Sequence, residues 1–307
     1  MGRDERYLQG DVPQAEGESE AARLERLGRE RPAKLGSMWK ETGFVFSIVF
    51  SQCLNEYFIS GVTVLVPELT EPLGIPPSRV TWPVAAFSLV ISGFLLPFGR
   101  LADIYGGKWI YIVGVIWTAV WALIIGFAQN EIMMDVCRAI QALGPAMYLP
   151  SGLQLLSTTY RPGPRKNIAF AIYGAMAVIG FFTGVFFSGV AGEYASWRWY
   201  FFIGAIMSAF TAVISFPCID NDYHEHKNNG VNMDWLGAAT TITGLILFVY
   251  AITDSAHASG GWRSPQILVT FLLGVLILGL AFYVEGWVAE QPLLPFEAFN
   301  IKYDIPN

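Results

Sequence analysis

Hydrophobic positions in this chain come in long blocks separated by short polar breaks. Windows free of Asp, Glu, Lys and Arg cover residues 80–98, 109–130, 139–160, 168–192, 199–219, 235–253 and 264–284, and an eighth, 42–67, is apolar apart from Glu56. About 20 apolar residues in a helix cross a bilayer core. Eight such blocks within one chain leave too little polar surface to cover them in water. Lipid is therefore the expected solvent, and each block is expected to be helical because its backbone groups must pair internally. The expected fold class is all-α: a polytopic membrane protein with eight transmembrane helices.

The breaks set the organisation. Residues 1–42 form a polar tail, with a short helix expected near 21–30, and 43–218 carry six spans joined by short loops. A longer acidic loop, 219–234, leads to a two-span hairpin at 235–286 and a C-terminal tail at 287–307. With the N-terminus inside, the tails and inner loops hold fifteen of the 19 Lys and Arg residues, and the outer loops hold Arg79, Arg198 and Arg263. That excess predicts both termini in the cytoplasm. The segment from Gly99 to Lys108 reads as the turn between spans 2 and 3. There Gly99 and Gly106 permit the reversal, Asp103 meets the amino end of a neighbouring helix, and Arg100 and Lys108 anchor to the inner leaflet.

Composition sharpens the class. The chain has 307 residues, 53% hydrophobic and 14% charged, and seventeen of its 44 charged residues fall in the first 42. A net charge of −6 gives no support to a nucleic-acid partner. Cys53, Cys137 and Cys218 read as free thiols, and no cofactor fingerprint or nucleophile motif is present. His224, Glu225 and His226 lack a third ligand, since histidines two apart do not share a helix face, so no metal site is expected.

Candidate chemistry is confined to a few polar residues inside the spans. Gln52, Glu56 and Ser60 recur every fourth residue on span 1, flanked by Asn55 and followed by Thr63, which places them on one narrow helical arc. A carboxylate at that depth costs at least 2.5–3.5 kcal/mol or so and is expected to face a hydrated cavity or a partner. Arg138 in span 4, with Asp135 and Gln141 one turn to either side, needs a counter-charge or a polar cavity. Two partners stand open for it: Asp135 locally, or Glu56 across the bundle. Gly180, Gly184 and Gly189 in span 5 are candidates for close helix packing.

Taken together, these segments resemble the major facilitator superfamily. Gly99, Asp103, Gly106 and Lys108 resemble the family's loop between spans 2 and 3. Arg138, Gln141 and Gly144 resemble its span 4 motif, with Ala142 replacing a glycine. Gly180, Gly184 and Gly189 resemble its span 5 antiporter motif, with Val185 in place of the proline. Trp197 to Phe202, the Asp234-Trp235-Leu236-Gly237 run and Pro292 to Pro295 resemble the fourteen-span drug:proton antiporters of the fungal type.

The resemblance implies proton-coupled efflux of small organic molecules such as drugs or secondary metabolites, at the plasma membrane, with no enzymatic step and no cofactor. Glu56 would carry the proton, with Arg138, Gln52, Asn55 and Gln141 around the cavity. Gly99, Arg100, Asp103, Gly106 and Lys108 would form a cytoplasmic gate. Partners would be the bilayer, the substrate and protons. In the family, spans 9–14 form a second bundle, so the chain is expected to be a form truncated after the eighth span. Self-association could then stand in for the missing bundle. A non-transporting fragment, or a modulator of a full-length transporter, is the alternative.

Overall fold

The structure, a computed structural model, describes residues 26–222, 232–256, 258 and 260–289. Among these residues all regular structure is helical. In chain order the main helices are α1 Met38–Leu73, α2 Trp82–Tyr105, α3 Gly107–Ile125, α4 Glu131–Gln141, α5 Leu143–Thr159, α6 Pro164–Tyr194, α7 Trp197–Cys218, α8 Trp235–Ser255 and α9 Pro265–Tyr283. Their ends follow local rules. Ser37, Asn130, Ser196 and Asp234 each accept a hydrogen bond from a backbone N–H in the first turn of the helix they precede. α1 stops at Gly74, whose φ of 65° is the left-handed conformation that glycine adopts without strain.

Among the described residues, seven helices are long and apolar enough to cross a membrane. The expected fourth span is instead divided into α4 and α5 at Ala142. Pro145 explains the break: it has no N–H to donate to the Gln141 carbonyl one turn earlier. Ala142 keeps helical dihedrals (−63°, −20°), and its N–H still reaches the Arg138 carbonyl at 3.1 Å. The two pieces together cover 131–159, enough for one crossing.

The turn expected over residues 99–108 is much shorter. α2 runs on through Tyr105 and α3 starts at Gly107, so Gly106 alone makes the reversal, at φ 87° and ψ 151°. Gly99, Arg100 and Asp103 therefore stand on the last turns of a helix. The apolar composition around them sustains the helix beyond the charge-free window that marked the span.

α1 is the centre of the bundle. It packs most extensively on α6 and also against α7 and α5, while α3 lies against α5 and α7. Two buried clusters follow its length, one around Phe44, Ile48, Tyr111 and Tyr148 and one around Tyr57, Phe58, Phe87 and Tyr200. α8 and α9 pack on each other, and α8 leans on α2. Outward faces are apolar: Val113, Ile116, Val120 and Leu123 on α3, and Leu268, Leu272, Leu276 and Leu280 on α9, are all exposed at helical spacing. Such faces suit acyl chains. Residues 26–29 are helical, and the segment before α1 folds back on the bundle. Leu35 is buried, and the Glu41 carboxylate receives Arg31 (3.0 Å), Arg165 (2.5 Å) and the Tyr160 hydroxyl (3.1 Å).

Candidate functional site

The middle of α1 is gripped from three sides through its own backbone. On α6, Gly180, Gly184 and Ser188 face it, and a Cβ on Gly180 would stand 2.4 Å from the Cys53 carbonyl oxygen, one on Gly184 2.6 Å from that of Tyr57. Only glycine allows that approach. Ser188 donates to the Gly61 carbonyl (2.7 Å), and Ser60 reaches back to the Phe181 carbonyl (2.9 Å). On α7, Tyr200 stacks on Tyr57 with ring centroids 4.5 Å apart. Gly189 is not part of this contact: it is exposed, with nothing within 4 Å of its would-be Cβ. Nine residues at 100° each turn it half a revolution from Gly180, so the contact passes through Ser188.

Arg138 supplies the third grip. It is wholly buried, and its guanidinium lies 4.2 Å from the centre of the Phe87 ring. Nε donates to the Pro83 carbonyl (3.0 Å), Nη2 to the Phe58 carbonyl (3.0 Å) and Nη1 to Gln141 Oε1 (3.1 Å). Arg138 thus ties α2 and α1 to α4 with a single planar fork. Neither partner left open by the sequence hydrogen-bonds to it, and Asp135 acts on it only through the attraction of its charge. No hydrogen bond or ion pair joins it to Glu56, and none joins it to Asp135, whose Oδ1 is buried without a hydrogen-bond partner. Main-chain oxygens take their place, and a carbonyl has no sequence signature.

Glu56 sits in a separate polar cluster. Its Oε1 accepts from Asn55 Nδ2 at 3.1 Å and from Gln52 Nε2 at 3.3 Å. Gln52 and Glu56 are half-buried on the least covered side of α1, whereas Asn55 is buried. Ser60, expected on the same stripe, turns into the α6 contact, and the exposed Thr63 bonds to the Ile59 carbonyl of its own helix. The structure therefore brings Gln52 and Asn55 to Glu56, and Gln141 to Arg138, as two groups.

At the other end of α2, Asp103 accepts from Gln154 Nε2 of α5 at 2.9 Å, and Arg100 donates to the Asn232 carbonyl at 3.3 Å. Lys108 lies over the rings of Trp109 and Phe216. The carboxylate that meets a helix amino end is Asp222, which accepts from the backbone N–H groups of Gly107 (2.7 Å) and Lys108 (3.3 Å). It caps α3 in the role expected of Asp103. Its position 115 residues away hid it from local reading. Tyr57, Tyr200 and Gln154 were missed as well; a tyrosine inside an apolar span is the signal that could have flagged the first two. Among the described residues no group of three or more His, Cys, Asp and Glu could hold a metal, and His224, Glu225 and His226 lie outside them.

Residues 48–300 match the family model of the Major Facilitator Superfamily. Among curated relatives, the chain is 33% identical to an Aspergillus terreus protein named "Efflux pump terJ", over 90% of this chain and 54% of that protein. It is 33% identical to the "Low affinity ammonium transporter" of Saccharomyces cerevisiae, over 88% and 53%. It is 32% identical to the "Major facilitator superfamily multidrug transporter mdr3" of Aspergillus fumigatus, over 74% and 45%. The chain spans about half the length of the relatives it matches.

Proposed function

The chain belongs to the major facilitator superfamily, and from that premise we propose that it forms the first bundle and following hairpin of a proton-coupled exporter of small organic molecules. The observation that carries this reading is Glu56. A carboxylate half-buried in the middle of a 36-residue apolar helix, hydrogen-bonded to two amides and no cation, is costly unless it exchanges protons or meets a ligand. In the proposed cycle Glu56 takes up a proton from one side and gives it up to the other as substrate moves the opposite way. Arg138 holds α1, α2 and α4 in register and is not itself released. Gly106 and the Asp103–Gln154 contact join α2, α3 and α5 at the end assigned to the cytoplasm, where a gate would form.

Names of relatives favour export of organic compounds, although one relative carries the name of an ammonium transporter. The test is transport by the full chain in proteoliposomes with an imposed pH gradient, using a fluorescent organic cation. Gradient-driven accumulation that is lost in Glu56→Gln supports the proposal. Accumulation unchanged in Glu56→Gln removes the proton role. The half-length match favours a second reading, in which the chain does not transport alone and acts with a further bundle. Absence of flux from the chain alone, with flux restored by co-reconstitution with a full-length relative, is its expected signature.

A further inference from the structure

The segment before α1 and the turn between α5 and α6 are far apart in sequence, yet they form one surface. Residues 26–36 lie as a strap on that turn. Gly28 meets it backbone to backbone: a Cβ there would stand 2.6 Å from the Pro162 carbonyl oxygen and 2.8 Å from Gly163 Cα. Leu27 and Leu35 are buried on either side of this contact. Arg165 Nε donates to the Arg29 carbonyl (2.7 Å), and Arg165 and Arg31 both close on the Glu41 carboxylate. The turn, the strap and the foot of α1 are therefore tied together.

This surface has a charge opposite to that of the whole chain. Residues 26–41 and 161–166 carry eight Lys and Arg against two Glu, in a chain whose net charge is −6. The neighbouring Asp220 answers Lys40 (2.5 Å), and Asp222 caps α3. Arg29, Lys34 and Arg161 are exposed, and the Arg31 and Arg165 side chains stay 36% and 37% exposed while bound to Glu41. The patch stands where α1 leaves the apolar layer. Met38 and Trp39 open α1, and Trp39 is 87% exposed. Trp109 on α3 and Phe216 on α7 are exposed at the same end, beside the Lys108 ammonium. Exposed tryptophans of this kind favour the headgroup layer. Basic side chains clustered just outside a span lie within reach of the field of anionic headgroups.

We propose that the strap and the α5–α6 turn form a docking face for anionic phospholipid headgroups of the adjoining leaflet. Headgroup phosphate and carboxylate oxygens accept from Arg29, Lys34 and Arg161 at the exposed rim. Arginine suits this task because its planar fork matches a phosphate. Arg31 and Arg165 keep Glu41, so the strap stays seated while lipid binds. Anionic lipid thereby fastens the foot of α1, the same helix that carries Glu56. The docking face concerns the membrane surface and stands independently of the transport reading above.

The test is thermal unfolding of the full chain in phosphatidylcholine nanodiscs and in discs where part of that lipid is replaced by phosphatidylserine. Phosphatidylserine is expected to raise Tm by several degrees. The triple variant Arg29→Gln, Lys34→Gln, Arg161→Gln is expected to lose most of that rise, each protein being compared with its own Tm in phosphatidylcholine. Arg263→Gln, in the exposed turn between α8 and α9 at the opposite end, is expected to keep the rise in full. No rise in the native chain, a rise that survives the triple change, or an equal loss in Arg263→Gln overturns the proposal. So does an equal rise in phosphatidylcholine discs with soluble glycerophosphoserine, which would assign the face to a free phosphate, or with polyglutamate, which would assign it to an acidic protein. Should the triple variant fail to fold, Arg161→Glu reverses one exposed charge on the turn and is expected to reduce the rise; an unchanged rise overturns the proposal equally.

Discussion

Tyr57 and Tyr200 hold each other reciprocally: the Tyr57 hydroxyl donates to the Tyr200 carbonyl at 2.8 Å, and the Tyr200 hydroxyl donates to the Tyr57 carbonyl. Their rings stack between these bonds at an interplanar angle of 10°. Both side chains are wholly buried, and a Cβ on Gly61 or Gly204 would strike the aromatic rings packed there. Two hydrogen bonds and one stack thus lock α1 to α7. Tyr200→Phe is expected to cost about 1 kcal/mol of stability, and Tyr57→Phe a similar amount. Thermal unfolding of the two single variants and the double variant measures the coupling; strict additivity would contradict a shared lock.

The α1–α6 contact makes a sharp contrast between two glycines five residues apart. Gly184→Ala forces a methyl group against the Tyr57 backbone and is expected to destabilise by about 2–3 kcal/mol. Gly189→Ala adds a methyl in open space and is expected to be neutral or stabilising by up to about 1 kcal/mol. Unfolding in detergent reads both.

Arg138 donates to two carbonyls and an amide at once, a pattern that only a planar fork can fill. Arg138→Lys keeps the charge but cannot make all three bonds. It is expected to be destabilised by about 2 kcal/mol or more, because buried acceptors are left unpaired. Recovery of native stability by lysine would show that charge alone is needed.

Asp222 and Asp103 separate in the same way. Asp222→Ala removes the cap from α3 and is expected to cost about 1 kcal/mol. Asp103→Asn keeps an oxygen for Gln154 on an exposed carboxyl position and is expected to stay within about 0.5 kcal/mol. Hydrogen exchange at the start of α3 should rise in the first variant and not in the second.

Much of the membrane architecture was legible in the sequence because a bilayer imposes a one-dimensional rule. Charge-free blocks near 20 residues long become helices wherever they occur, and α8 starts at Trp235 as the pattern requires. The pairs Gln52–Glu56 and Arg138–Gln141 were within reach as well, since positions three or four apart on a helix are neighbours. Gly189 and the long turn were misread by using motif spacing and charge where helical angle and helix propensity decided.

The sequence by itself determined that the chain is built of long apolar helices suited to a bilayer and which few polar residues must go in with them, because the cost of burying charge is local to each residue. The tertiary structure alone decided that Arg138 answers to the carbonyls of Pro83 and Phe58 instead of to a carboxylate, that Tyr57 meets Tyr200, and that Asp222 caps α3. Those contacts depend on which helices lie side by side, and the acceptors are often main-chain oxygens that every residue carries alike.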